Sequence, residues 1–148
     1  MTAGEITLTG SCHCGALAVE LVTRRRPEEF DVRACQCTFC RVHGALSISD
    51  PEGRLTYSAL QPGALIEYRF GLKLADFLIC ARCGSYVGAY MSDEARGGYG
   101  VLNLNVFPDR DRFGPPKAMT YDGESPVDRL ARRRARWTPA TLRRAPSA

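Results

Sequence analysis

Gly10-Ser11-Cys12-His13-Cys14-Gly15-Ala16-Leu17-Ala18-Val19-Glu20-Leu21-Val22 sets two patterns side by side. In residues 16–22, Leu17, Val19 and Leu21 occupy alternate positions, which places them on one face of a strand. Cys12 and Cys14 are also two residues apart. In an extended segment such side chains point the same way, so both sulfurs can reach one metal ion. The reading is a β-strand entered through a chelating loop.

Two further clusters extend the second pattern: Cys35-Gln36-Cys37-Thr38-Phe39-Cys40-Arg41 and Cys80-Ala81-Arg82-Cys83-Gly84. In Cys80-x-x-Cys83 a tight turn aligns the sulfurs, and Gly84 lets the backbone bend close to an ion. The chain has 7 cysteines in all, an odd number that a complete disulfide framework would not use up. The first dozen residues show no basic start followed by an apolar run, and no stretch approaches the roughly 18 apolar residues that cross a bilayer. A cytoplasmic protein without a membrane partner is therefore expected, in a compartment where thiols stay reduced. Sulfur-rich sites of this spacing suit zinc.

A structural zinc takes four protein ligands, whereas a catalytic zinc keeps three and leaves the fourth position open. Seven sulfurs divide accordingly into two zinc ions per chain. Cys35, Cys37 and Cys40 form the tripod of an open, catalytic site. Cys12, Cys14, Cys80 and Cys83 close a structural site, whose metal contributes on the order of 10 kcal/mol to folding. The alternative is that both ions are structural, with His43 as fourth ligand beside the tripod. His13, between two ligands, points away to the surface.

Outward from these clusters, residues 5–9, 30–34, 45–49, 64–70, 85–90 and 101–107 also read as short strands, bounded by Gly, Pro, Asp or Ser. Residues 50–54, 61–63, 97–100 and 108–116 read as turns or loops. The fold class is mostly β, in antiparallel sheets. One helix stands out near the end: Ser125 caps it, Pro126 suits its first position, and Asp128 favours the positive end of its dipole. Val127, Leu130, Ala131 and Trp137 recur along it at helical spacing.

At 148 residues one domain is expected. Residues 1–124 form a zinc-binding β domain, and 125–148 an arginine-rich helix and tail that belongs to it or is appended. The net charge of +4 is concentrated there, in Arg129, Arg132, Arg133, Arg134, Arg136, Arg143 and Arg144. A basic segment of this kind supplies affinity for nucleic acid or an acidic partner, as in a non-catalytic zinc-built binding module. Because aromatic stacking residues are nearly absent there, a solvated helix face with a tail fraying beyond Pro139 is the preferred expectation.

The three clusters, in order and spacing, resemble the glutathione-dependent formaldehyde-activating enzyme family, whose zinc domain is shared with centromere protein V. The resemblance runs from about residue 10 to residue 107. It implies a Mss4-like β fold, the structural and catalytic zinc ligands assigned above, and a carbon–sulfur lyase that acts on an adduct of glutathione, or another thiol, with a small aldehyde such as formaldehyde. The sequence departs from the family pattern at Pro115-Pro116-Lys117-Ala118-Met119, where a Pro-x-x-His-Ile stretch is common, and at Ile79, where a phenylalanine is common.

An open zinc lowers the pKa of a bound thiol or polarises an aldehyde oxygen. Three thiolates leave such a site net negative unless a cation offsets them. Arg41, next to Cys40, is the substrate-binding candidate for that role.

Overall fold

In the computed structural model, residues 4–95 and 97–145 are described. Strands β1 (Ile6–Ser11) and β2 (Leu17–Thr23) form a hairpin through the first cysteine loop. Leu17, Val19 and Leu21 are buried, as the alternation requires. β3 (Arg33–Cys35) leads into the short helix α1 (Thr38–His43), and β4 (Ser47–Ile48) and β5 (Arg54–Ala59) follow. β6 (Leu65–Tyr68), β7 (Asp76–Cys80), β8 (Tyr86–Asp93) and β9 (Gly97–Asn103) make an antiparallel meander. After β10 (Lys117–Met119) come the helix α2 (Pro126–Arg136) and β11 (Thr138–Arg143).

All these strands belong to one sheet, mostly β as the sequence implies, with a single long helix near the end. It is mixed, not purely antiparallel. The path β1-β2-β5-β11-β9-β4-β3-β10 contains two parallel pairings, β5 with β11 and β3 with β10. β9 is the junction: β8 runs along one edge, while β11 and β4 share the other.

Two expectations are corrected here. Residues 140–143 are not a frayed tail, because β11 fills the gap between β5 and β9. Residues 97–100 are strand, not turn. Gly100 makes room for Tyr57, which crosses the sheet fully buried with its hydroxyl 2.7 Å from the Val101 carbonyl and 3.0 Å from that of Ala89. A Cβ on Gly100 would lie 2.5 Å from the Tyr57 hydroxyl oxygen. Overpacking of this kind costs about 1–3 kcal/mol. Gly100→Ala is therefore expected to lower the melting temperature, and Tyr57→Phe in the same background to recover part of the loss; an unchanged Gly100→Ala melting curve would contradict the packing described.

The main core lies around Leu21, Leu55, Tyr57, Ile48, Leu78 and Leu102. Two smaller clusters flank it. One joins Ala75, Ala89, Met91 and Val101 to Trp137, with Leu130 of α2 packed against it; the other gathers Phe39, Cys40, Ala45 and Tyr86. Helix α2 starts as the sequence specifies, with the Ser125 hydroxyl accepting from the Asp128 amide at 3.1 Å and Pro126 in the first turn. Its far end is locked to the β4–β5 turn: the Ser49 hydroxyl donates to the Arg136 carbonyl at 2.8 Å, and the Asp50 amide donates to the Thr138 hydroxyl at 2.8 Å. No helix among the described residues is long and apolar enough to cross a membrane.

Candidate metal centres

Cys12 and Cys14 stand on the β1–β2 loop, Cys80 ends β7 and Cys83 lies on the β7–β8 turn. Gly15 and Gly84, at φ of 85° and 81°, turn the chain back in the left-handed region open to glycine. The four sulfurs lie within 4.8 Å of one another. In a tetrahedral zinc site with Zn–S near 2.3 Å, sulfurs stand about 3.8 Å apart. Here Cys12 Sγ is 3.8 Å from Cys14 Sγ, which is 3.6 Å from Cys80 Sγ. Backbone amides point at the sulfurs as they do around thiolates: Leu17 donates to Cys12 at 3.2 Å and Arg82 to Cys80 at 3.4 Å. Burial pushes the Cys83 thiol up, but the Ser85 hydroxyl and amide outweigh it and hold the group at about 5. The cluster fits a zinc ion, and His13 beside it is exposed.

Cys35, Cys37 and Cys40 form the second group, again within 4.8 Å of one another. Cys35 ends β3, held in register by β10, where the Gln36 amide donates to the Met119 carbonyl at 2.9 Å. Cys37 is the N-cap of α1, its sulfur accepting from the Cys40 amide at 3.4 Å, and Cys40 lies buried one turn in. Contact with the Cys40 thiol holds Cys35 down to about 5 against its burial, helped by Cys37 and by the charge of Arg132. The same contact, with burial, raises Cys40. Three sulfurs this close together are a donor set suited to a divalent cation.

Among the described residues the tripod has no fourth His, Cys, Asp or Glu. His43 stands outside it, with Nδ1 3.0 Å from the Phe39 carbonyl and its ring 4.3 Å from that of Phe39. A cavity of about 240 Å³ opens over the three sulfurs. Its apolar wall includes Phe70, Phe77, Tyr86 and Trp137, and its cations are Arg33, Lys73, Arg129, Arg132 and Arg133. Arg41 is exposed and does not line it.

The arginine face of α2 is thus turned partly inward. Arg129 and Arg132 both pair with Glu124, at 3.0 and 2.8 Å, and the Arg132 guanidinium lies 3.7 Å over the Tyr121 ring. Arg134 pairs with Asp93 at 2.9 Å. Together Arg132 and Arg129 hold the Glu124 carboxyl below the usual carboxylate range against a small desolvation. Arg33 donates to the Ser49 hydroxyl at 2.7 Å.

The sequence profile of the glutathione-dependent formaldehyde-activating enzyme family matches residues 7–122. The chain belongs to that family. Its profile spans both cysteine groups but stops before α2 and β11. A crystal structure of a Rhodobacter sphaeroides protein, a structural-genomics target, is similar with a TM-score of 0.50 and 24% sequence identity, covering 76% of this chain and 100% of that one; it shares the fold. No curated protein matches the sequence. In this family member, then, the cysteine groups belong to the shared region, whereas Arg129, Arg132, Arg133 and Trp137 of the cavity wall come from outside it. Sequence reasoning misses these wall residues. The available signal is the spacing of Arg129, Arg133 and Trp137, each four apart, which puts all three on one side of the helix.

Proposed function

We propose that the protein is a cytoplasmic, zinc-dependent enzyme of carbon–sulfur lyase type, acting on the adduct of glutathione or another thiol with a small aldehyde such as formaldehyde. We assign two zinc ions per chain, a structural one to Cys12, Cys14, Cys80 and Cys83 and a catalytic one to Cys35, Cys37 and Cys40. The observation that carries this reading is a three-sulfur group without a fourth side-chain ligand among the described residues, placed at the wall of a small cavity. Zinc at the tripod would supply acidification of a thiol and polarisation of a carbonyl.

The chain's own residues do the rest. Phe70, Phe77, Tyr86 and Trp137 give the cavity an apolar wall, which strengthens electrostatic interactions beside it. Arg132, whose charge reaches Cys35, offsets the negative charge of the sulfurs. In the forward direction the thiol sulfur bonds to the aldehyde carbon, the C=O π bond breaks, and the thiol proton ends on the new hydroxyl oxygen. The reverse reaction returns thiol and aldehyde. The cations that line the cavity are placed to offset the charge of the sulfurs directly, whereas Arg41 is exposed and does not line it.

Exchange spectroscopy by nuclear magnetic resonance, with glutathione and formaldehyde, tests the reading. The zinc-loaded protein is expected to accelerate exchange by roughly 100-fold or more over its Cys37→Ala variant, since loss of a ligand costs at least what loss of a residue supporting a ligand does. Exchange no faster than in the variant would remove the lyase assignment for this pair.

A further inference from the structure

Arg133 is the buried arginine of the wall that has no acceptor among the described residues. It is 8% exposed, and its Nε and Nη1 have no hydrogen-bond partner among the described residues. Its guanidinium lies 4.6 Å over the Trp137 ring. That contact satisfies the face of the group and leaves its N–H donors, which lie in the guanidinium plane, unmet. Neighbouring Arg129 and Arg132 are already matched to Glu124, and Arg33 to Ser49.

A buried, unmatched charged donor is costly, and helix α2 is held at both ends in a way that keeps Arg133 in place. The residue lines the same cavity as the cysteine tripod. A ligand there that carries an anionic group completes an arrangement the protein leaves open. The cavity, about 240 Å³, is below the roughly 300–1,000 Å³ typical of sites for drug-sized ligands, so the group belongs to a small molecule.

We propose that Arg133 forms a carboxylate-binding subsite in the tripod cavity, so that the substrates are small thiols or thiol adducts with a carboxylate a few bonds from the reacting sulfur. This rests on the lyase reading for the word substrate, but the subsite itself does not depend on it. The carboxylate can come from glutathione or from a smaller mercapto acid.

The test uses the zinc-loaded full chain and four probes: butanoate, 2-mercaptoethanol, 3-mercaptopropanoate and glutathione. Affinity is read by calorimetry, and the Arg133 Nε–H resonance by nuclear magnetic resonance. Butanoate, which has no sulfur, is expected to shift that resonance. 3-Mercaptopropanoate is expected to bind at least about tenfold tighter than 2-mercaptoethanol, the effect of one charge-assisted hydrogen bond. Arg133→Met should erase that preference. The same Arg133 dependence for glutathione would identify its carboxylate as an occupant; dependence for 3-mercaptopropanoate alone would identify the smaller acid.

An Arg133 signal unmoved by butanoate, or equal affinity for the two small thiols in the wild type, overturns the subsite even where thiols still perturb the metal, and the lyase reading then stands. An Arg133-dependent butanoate site in a protein whose metal no thiol perturbs upholds the subsite and removes the lyase reading. Should Arg133→Met fail to fold, the wild-type resonance and the wild-type preference decide.

Discussion

Cys80→Ser is expected to leave the chain largely unfolded, with zinc content falling from the proposed two ions per chain to at most one. Cys80 is 1% exposed at the end of β7, and its sulfur meets that of Cys14 across a separation of 66 residues. A metal held there ties the β1–β2 loop to the β7–β8 turn, and structural zinc contributes on the order of 10 kcal/mol. Total stability of a domain is only about 5–15 kcal/mol. Losing most of the metal term therefore removes most of the margin. Cys37→Ala provides the contrast: it is expected to keep native circular dichroism and one zinc ion, because the tripod draws its sulfurs from a six-residue stretch and closes no long loop. Thermal melts and metal analysis of both variants check this. Equal destabilisation by the two would show that both ions are structural.

How legible the molecule is from its sequence depends on whether the deciding interaction is local. The cysteine groups could be read because their spacing is itself the chemistry: two sulfurs two or three residues apart chelate almost regardless of what surrounds them. The α2 start could be read for the same reason, since Ser125, Pro126 and Asp128 act within one turn. Strand β2 followed from the alternation of Leu17, Val19 and Leu21.

What escaped is what depends on distant partners. Gly97, Gly98 and Gly100 look like a turn until Tyr57 is placed against Gly100. β5, β7, β10 and β11 were not expected from the sequence. β10 is three residues long and exists through its parallel pairing with β3. Helix α1 is short, and its N-cap is Cys37, which reads first as a ligand. The cavity wall escaped because an arginine stripe reads as solvated surface. Only the folded chain reveals that Arg133 is buried against Trp137 while Arg41, adjacent to Cys40, faces out.

Ending the chain at Trp137 is expected to be as damaging as losing a structural zinc ligand, although the residues removed form the last strand and a basic terminus. Ala140, Thr141, Leu142 and Arg143 pair with β5 at Leu55, Thr56, Tyr57 and Ser58. On the other side, Thr138, Pro139 and Ala140 pair with Gly100, Tyr99 and Gly98 of β9. Without β11 two neighbouring strands lose their partners in the interior of the sheet. Thr138 is 1% exposed, and its hydroxyl accepts the Asp50 amide in the turn that also anchors α2. Each buried backbone group left unpaired costs about 1–3 kcal/mol, and several such losses exceed the margin of about 5–15 kcal/mol. The truncated protein should therefore be insoluble or molten by circular dichroism and one-dimensional nuclear magnetic resonance. A truncation after Arg143, which keeps β11 and drops only the last five residues, should melt close to the full chain. Were the Trp137 truncation to fold with native stability, β11 would not be a structural strand, and the anchoring of α2 over the cavity would need another explanation.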